Sequence, residues 1–88
     1  TRPFTLQGAT LQLNIAAPTG SYRVEILDAE GKPLKGFAGR STRLYHRLDE
    51  LRHQPRWKGK NLSSLTGRTI QLRFTLTNAT LYSFQVLP

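Results

Sequence analysis

The amino-acid sequence predicts an all-β protein, a small antiparallel β-sandwich of jelly-roll type with about seven short strands and little helix. Two observations lead to this fold class. Apolar and polar residues alternate with a period of two, most clearly along Ile70–Leu76, and this pattern is typical of a strand with one buried face. Turn-forming glycine, proline and aspartate residues also recur about every 8–12 residues, as in sandwiches. An OB-like barrel is the competing architecture for a chain of this length.

The chain has 88 residues and is predicted to be a single domain covering residues 1–88. A chain of this length buries only roughly 60–65% of the surface that its unfolded form exposes, so it supports one modest core. It begins with Thr1 and contains no methionine, which we expect of a fragment of a longer protein. It contains no cysteine, which excludes disulfides and thiolate metal sites. No run approaches the roughly 20 apolar residues of a membrane helix, so no membrane partner is expected.

The first half of the chain predicts a hairpin followed by a turn and a short strand. Thr10–Ala16 and Ser21–Asp28 both alternate, and the Pro-Thr-Gly connection between them predicts that they pair as neighbours. Asp28–Pro33 predicts a turn in which the aspartate accepts backbone hydrogen bonds and Gly31 takes a positive φ. A short strand, Leu34–Phe37, is then expected to return along the chain.

The second half predicts a long loop, an edge strand and a closing hairpin. Ala38–Glu50 is interpreted as an irregular loop with one helical turn, because leucines recur in this region at helical spacing. Leu51–Lys58 alternates like a strand, but Pro55 cannot donate a ladder hydrogen bond, so this strand is expected to lie at a sheet edge or to contain a bulge. Asn61–Gly67 is a short polar segment held by Leu62 and Leu65, and it predicts one 3-10 turn that ends at Gly67. Gly67–Val86 then predicts two strands joined by a tight turn.

Positive charge is the strongest functional signal in the composition. Thirteen lysines and arginines stand against five acidic residues, which gives a net charge of +8. Nine of the cations lie between Lys32 and Lys60, where only Asp49 and Glu50 oppose them. A concentrated positive surface attracts polyanions, so the candidate partners are an acidic polysaccharide, a nucleic acid or an acidic face of a neighbouring domain. A solvated surface that only aids solubility is the simpler alternative.

No group of residues predicts catalysis, a metal site or a cofactor. Glycoside hydrolysis needs two carboxylates about 5–9 Å apart across a cleft, and no pair among the five acidic residues looks positioned for it. His46 and His53 lack a third ligand for zinc. Asp28 and Glu30 lie close to Gly31, but two carboxylates beside a lysine fall short of a calcium cage, so a plain turn is favoured. We therefore expect no enzyme activity and no cofactor.

The candidate ligand-binding residues are basic and aromatic side chains of the long loop and the edge strand. Arginine can grip a carboxylate or sulfate through two parallel hydrogen bonds. An exposed aromatic ring can stack on a sugar, and Tyr45 is the better candidate because Trp57 shares a strand face with Leu51 and is expected in the core. Single-stranded nucleic acid needs several exposed aromatic residues, which disfavours that partner. The predicted glycan-binding set is Arg43, Tyr45, His46, Arg47, Arg52, Arg56, Trp57 and Lys58.

Five segments of the chain occur in the order found in a known family. They are Gly20–Leu34, Arg56–Gly59, Leu62–Arg68, Leu72–Phe74 and Leu81–Phe84. Over about residues 3–86 the chain thus resembles the C-terminal β-sandwich module of many bacterial exported glycoside hydrolases and related proteins of polysaccharide breakdown. The resemblance implies an accessory module without catalytic residues, secreted or periplasmic as part of a larger protein. Pro55 departs from the family's usual β-branched residue, and Thr80 from its usual acidic residue.

These expectations combine into one functional hypothesis with two alternatives. The chain is expected to be a non-catalytic carbohydrate-associated module that binds a polysaccharide weakly through the basic loop and edge strand. The positive charge favours an acidic polysaccharide. The first alternative is a purely structural domain that packs on the catalytic domain of a glycoside hydrolase. The second is a basic β-domain that binds nucleic acid.

Overall fold

The computed structural model describes all residues from Thr1 to Pro88 and confirms the all-β class. The five strands are β1 (Phe4–Thr5), β2 (Thr10–Asp28), β3 (Tyr45–His53), β4 (Thr69–Thr77) and β5 (Thr80–Leu87). All strand pairs are antiparallel and belong to one sheet in the order β1–β4–β2–β3, with β5 also paired to β2. Five strands are fewer than the sequence predicted. The 3-10 turns are Gly39–Ser41 and Leu62–Leu65, and the second lies within the turn predicted over Asn61–Gly67 but ends two residues before Gly67. No helix is long and apolar enough to cross a bilayer.

The central strand β2 continues for 19 residues without a turn. The predicted hairpin between its two halves is wrong. β3 pairs with both halves, with Leu48 opposite Ala17 and His46 opposite Ser21, so the chain does not reverse at Pro18–Gly20. The register shifts in this stretch, and an irregularity of this kind tolerates the missing N–H of a proline. An irregular bend therefore replaces the expected turn.

β4 and β5 follow one another along the other side of β2. The two predicted strands are present, but they pair with β2 and not with each other: Thr77 lies opposite Ser21, and Thr80 lies opposite Ala16. Asn78 joins them with a φ of 48°, a left-handed conformation that asparagine tolerates better than most residues. The predicted closing hairpin is therefore wrong, and its two strands lie one after the other along one side of β2 with a bend between them.

The strand β2, the strand β3 and the run formed by β4 and β5 all change direction at the same level of the sheet. The irregular stretch of β2 lies beside Asn78 on one side and beside Arg47 of β3, which has a φ of 54°, on the other. The sheet folds over itself there, so the rings of Phe74 in β4 and Phe84 in β5 lie only 5.9 Å apart. Both halves of β2 consequently contribute to one core, with odd-numbered residues before the bend and even-numbered ones after it: Leu11, Leu13, Ile15, Tyr22, Val24 and Ile26.

The segment Leu34–Phe37 lies beside the second half of β2, along the part of its edge with which β3 no longer pairs. The backbone N–H of Ile26 donates to the carbonyl of Phe37, and the carbonyl of Ile26 accepts from Leu34. The predicted strand Leu34–Phe37 is thus an irregular return that makes ladder-like hydrogen bonds without forming a regular strand. These bonds satisfy backbone groups that would otherwise be buried without partners.

The turn between β2 and this return confirms the sequence prediction. Oδ1 of Asp28 accepts hydrogen bonds of 2.9 Å from the backbone N–H groups of Glu30 and Lys32. The bond from Lys32 is the main reason why the pKa of the Asp28 carboxyl lies below its usual value. Gly31 has a φ of 85°, which is the conformation expected of it.

β3 occupies part of the region in which a long loop was predicted. The leucines at helical spacing do not share a face, since Leu48 packs against the core whereas Leu44 and Leu51 are exposed. The predicted strand Leu51–Lys58 ends instead at His53, two residues before Pro55. Its expected position at a sheet edge is confirmed, because β3 is the last strand on its side.

Candidate functional site

Trp57 is a core residue and does not present a ring face to solvent. The residue is 6% exposed, and its ring centre lies 5.7 Å from that of Phe37. Its indole N–H donates a hydrogen bond of 3.2 Å to the carbonyl of Val24, beyond the point where β3 leaves β2. The core position favoured by the sequence is confirmed. The Trp57 ring is therefore not available for stacking on a sugar.

Tyr45 is likewise packed against protein instead of forming an open platform. Its ring stacks on that of Tyr22 with 5.2 Å between centres, and His53 meets it edge-on at 4.6 Å. The guanidinium carbon of Arg43 lies 5.8 Å from the ring centre. The Tyr45 hydroxyl accepts a hydrogen bond of 2.9 Å from the backbone N–H of Arg56. Tyr45 thus holds two predicted arginines close together, and its ring is not free to stack on a sugar.

Two loops, residues 39–44 and 54–61, lie side by side and are called here the basic loop pair. The backbone N–H of Lys58 in the second loop donates to the carbonyl of Ser41 in the first. On the core side, Trp57 of the second loop packs on Phe37, which lies two residues before the first loop. The loop pair brings together Arg40, Arg43, Arg56, Lys58 and Lys60, all of them exposed.

No carboxylate neutralises the cations of the basic loop pair. One ion pair of the structure joins Arg73 to Glu25 at 2.9 Å, and the other joins His53 to Glu50. Glu25 also accepts a hydrogen bond from the backbone N–H of Gly39, and this bond, followed by those from Arg73, lowers the pKa of the Glu25 carboxyl. The carboxylate nearest in structure to the first loop is therefore already paired.

A cleft of about 350 Å³ opens beside the basic loop pair. Its wall carries two cations, Arg56 and Lys60, and two amides, Gln54 and Asn61. The two cations were predictable from the charge of this stretch of sequence. The two amides were not predicted, and their only signal was their position next to the basic residues. Cations beside uncharged hydrogen-bonding groups suit a ligand that carries both acidic groups and hydroxyls.

The remaining predicted residues lie on β3, away from the centre of the loop pair. His46, Arg47 and Arg52 are all exposed on this strand. Asp49 and Glu50 belong to the same strand, so the charge along β3 is nearly balanced. The structure thus divides the predicted set between an unneutralised loop surface and a mixed-charge edge strand.

A buried cluster of aromatic and titratable groups lies next to Tyr45. Nδ1 of His53 is 3.3 Å from Oε2 of Glu50, whereas Nε2 of His53 and the hydroxyl of Tyr22 are buried without a hydrogen-bond partner. Burial lowers the pKa of the His53 imidazole and outweighs the opposing effect of Glu50, because the charged form loses its water. Burial also raises the pKa of the Tyr22 hydroxyl.

Acidification is expected to destabilise the fold through His53. In the unfolded chain His53 binds a proton below about pH 6.5, whereas in the folded chain it binds one only at lower pH. The free energy of unfolding therefore falls as the pH drops below about 6.5. The loss is at most about 1.4 kcal/mol per pH unit for one such group. Urea unfolding at about pH 7.5 and about pH 5.5 should show it in the wild type and in His46→Gln. His53→Gln should lack it, and an equal loss in that variant would contradict the assignment.

Comparison with known proteins gave no match for the chain among protein-family models, curated proteins or solved structures. The resemblance to accessory modules of glycoside hydrolases therefore stays a prediction.

Proposed function

We propose that this chain is a non-catalytic carbohydrate-associated module that binds an acidic polysaccharide weakly through the basic loop pair. The observation that carries the proposal is that two adjoining loops carry five exposed cations, none of which has a carboxylate partner. Such a surface raises the local concentration of a polyanion. Its arginines can form paired, charge-assisted hydrogen bonds with carboxylate or sulfate groups.

The surroundings of the loop pair support a glycan over a nucleic acid. Single-stranded nucleic acid is held largely by bases that stack on exposed aromatic rings. The two aromatic residues near this surface, Tyr45 and Trp57, have their rings packed against protein. The cleft offers amides and hydroxyls instead, which suit the hydroxyl groups of a sugar.

We also propose that the module accompanies a catalytic domain in a secreted or periplasmic protein, as the motif resemblance implies. A non-catalytic role is supported by the acidic residues, since Glu25 and Asp28 already accept hydrogen bonds from backbone N–H groups. A β-sandwich of jelly-roll type is supported by the bend of the sheet. Because both halves of β2 contribute to one core, the two arms of the bent sheet form its facing layers.

Affinity electrophoresis tests the proposed function. The chain should be retarded in native gels that contain polygalacturonate or dextran sulfate and not in gels that contain neutral dextran. The triple variant Arg43→Ala/Arg56→Ala/Lys58→Ala should bind about tenfold more weakly, because three charge-assisted contacts are lost. Mobility in each gel is compared with a gel lacking glycan, which corrects for the altered charge of the variant.

A charge-matched variant provides the control. Arg2→Ala/Lys32→Ala/Arg68→Ala removes the same charge from exposed positions outside the loop pair and should leave the affinity within about twofold of the wild type. An equal loss in both triple variants would show that net charge, and not this surface, determines binding. Absence of retardation by every acidic glycan would overturn the proposal.

A further inference from the structure

We propose that the bound polysaccharide extends along a groove on the outer face of β2, where uncharged side chains bind its hydroxyl groups. The inference rests on the proposed function and deepens it. It adds a second cleft to the binding surface and specifies the ligand as a glycan with free neighbouring hydroxyls as well as acidic groups.

The second cleft, of about 350 Å³, lies over the first half of β2 on the sheet face that points away from the core. Two cross-strand pairs line it: Gln12 lies opposite Gln85, and Asn14 lies opposite Ser83. Residues paired in this way have Cβ atoms about 4.5–5.5 Å apart. The four side chains therefore form one compact polar surface, called here the amide patch.

The side chains of the amide patch are available to a ligand. None of the four makes a hydrogen bond within the chain. Gln12 and Asn14 are half-buried, and both line the cleft. A side-chain amide offers a donor and an acceptor next to each other, so it can bind two neighbouring hydroxyl groups.

β3 supplies the wall of this second cleft. Leu51 is 75% exposed there and offers an apolar surface to the C–H face of a sugar ring. Arg52 lines the same cleft and offers a guanidinium to a carboxylate or sulfate. Arg52 thereby has a binding role even though it lies outside the basic loop pair.

The two clefts adjoin along the same two segments of chain. Thr10 lines the first cleft and Gln12 the second, and alternate residues of a strand point to the same face. Gln54 and Arg52 are related in the same way at the end of β3. A glycan chain of several sugars can therefore place acidic groups on the basic loop pair and hydroxyl groups on the amide patch.

The test uses polygalacturonate as the probe and measures affinity at several salt concentrations. The double variant Gln12→Ala/Gln85→Ala should bind about tenfold more weakly than the wild type, because two amide contacts are lost. No charge changes, so the dependence of affinity on salt should stay as in the wild type, whereas the triple variant of the basic loop pair should reduce it. Gln7→Ala changes an exposed amide outside both clefts and should bind like the wild type.

A second measurement needs no variant and so does not depend on its folding. During titration of isotope-labelled wild type with polygalacturonate, the side-chain NH₂ resonances of Gln12, Asn14 and Gln85 should shift, and that of Gln7 should not. Resonances that do not shift, or a double variant with wild-type affinity, would overturn the inference. The proposed function would still stand in that case if binding still required the cations of the basic loop pair. No binding by the wild type would overturn both.

Discussion

Trp57→Ala is expected to lower the free energy of unfolding by about 3–5 kcal/mol, the usual cost of truncating a buried tryptophan. The ring packs between Phe37 and the second half of β2, and its N–H satisfies the carbonyl of Val24. Small domains are typically stable by about 5–15 kcal/mol, so this one substitution removes a large share of the total. Urea unfolding followed by far-ultraviolet circular dichroism measures the change without requiring the tryptophan signal.

Trp57→Phe separates the hydrogen bond from the packing. Phenylalanine keeps an aromatic ring but has no donor, so the carbonyl of Val24 is left buried and unpaired at a cost of about 1–3 kcal/mol. The phenylalanine variant should therefore lie between the wild type and the alanine variant in stability. An alanine variant with the urea midpoint of the wild type would show that the ring is not part of the core.

Local alternation was enough to place most of the strands and the faces they bury. Ile70 and Leu72 are buried as their period-two pattern predicts, and the same pattern in β2 marks its inward residues on both sides of the bend. The pattern reports which face of a strand is apolar and does not report which strand lies beside it. The chain could therefore be assigned to the all-β class from sequence, whereas its pairing could not.

The two wrong hairpins show where that limit lies. Pro18–Gly20 has the composition of a turn. No feature of the neighbouring sequence indicates that β3 on one side, and β4 followed by β5 on the other, continue past it. Those pairings join residues far apart in the chain, so they depend on the register of the whole sheet. Asn78 was similarly consistent with the tight turn of a hairpin. In the structure its left-handed conformation instead forms part of the bend between β4 and β5, which both pair with β2.

The candidate site was predictable in its charge and not in its arrangement. The concentration of positive charge at Arg43, Arg56 and Lys58 follows from the sequence, and so does the burial of Trp57. Arg56 and Lys58, however, lie in a loop and not on the predicted edge strand. That Tyr45 is covered depends on its stacking on Tyr22, a contact between different strands. The amide patch was missed altogether, because Gln12 and Gln85 become neighbours only through the pairing of β2 with β5 near opposite ends of the chain.

Gly20→Ala is expected to destabilise the fold by about 3 kcal/mol or more, because the added methyl group has no space. A Cβ at this position would overlap the backbone carbonyl oxygens of Thr77 and Asn78 and lie 2.7 Å from the carbonyl carbon of Asn78. Backbone oxygens cannot rotate away as a flexible side chain could. The two strands would have to separate at the bend and lose the pairing of Ser21 with Thr77.

Gly59→Ala is the matched control for this prediction. Gly59 has a φ of 67° but no atom within 4 Å of an added Cβ, so alanine there meets only the backbone preference, about 1–2 kcal/mol. Gly20 is required because a side chain has no room there, and not because of a positive φ. Urea unfolding should therefore show Gly20→Ala to be much less stable than Gly59→Ala. If the two variants are equally stable, β2 does not approach the junction of β4 and β5 closely. The sheet would then lack the sharp bend through which the two halves of β2 share one core.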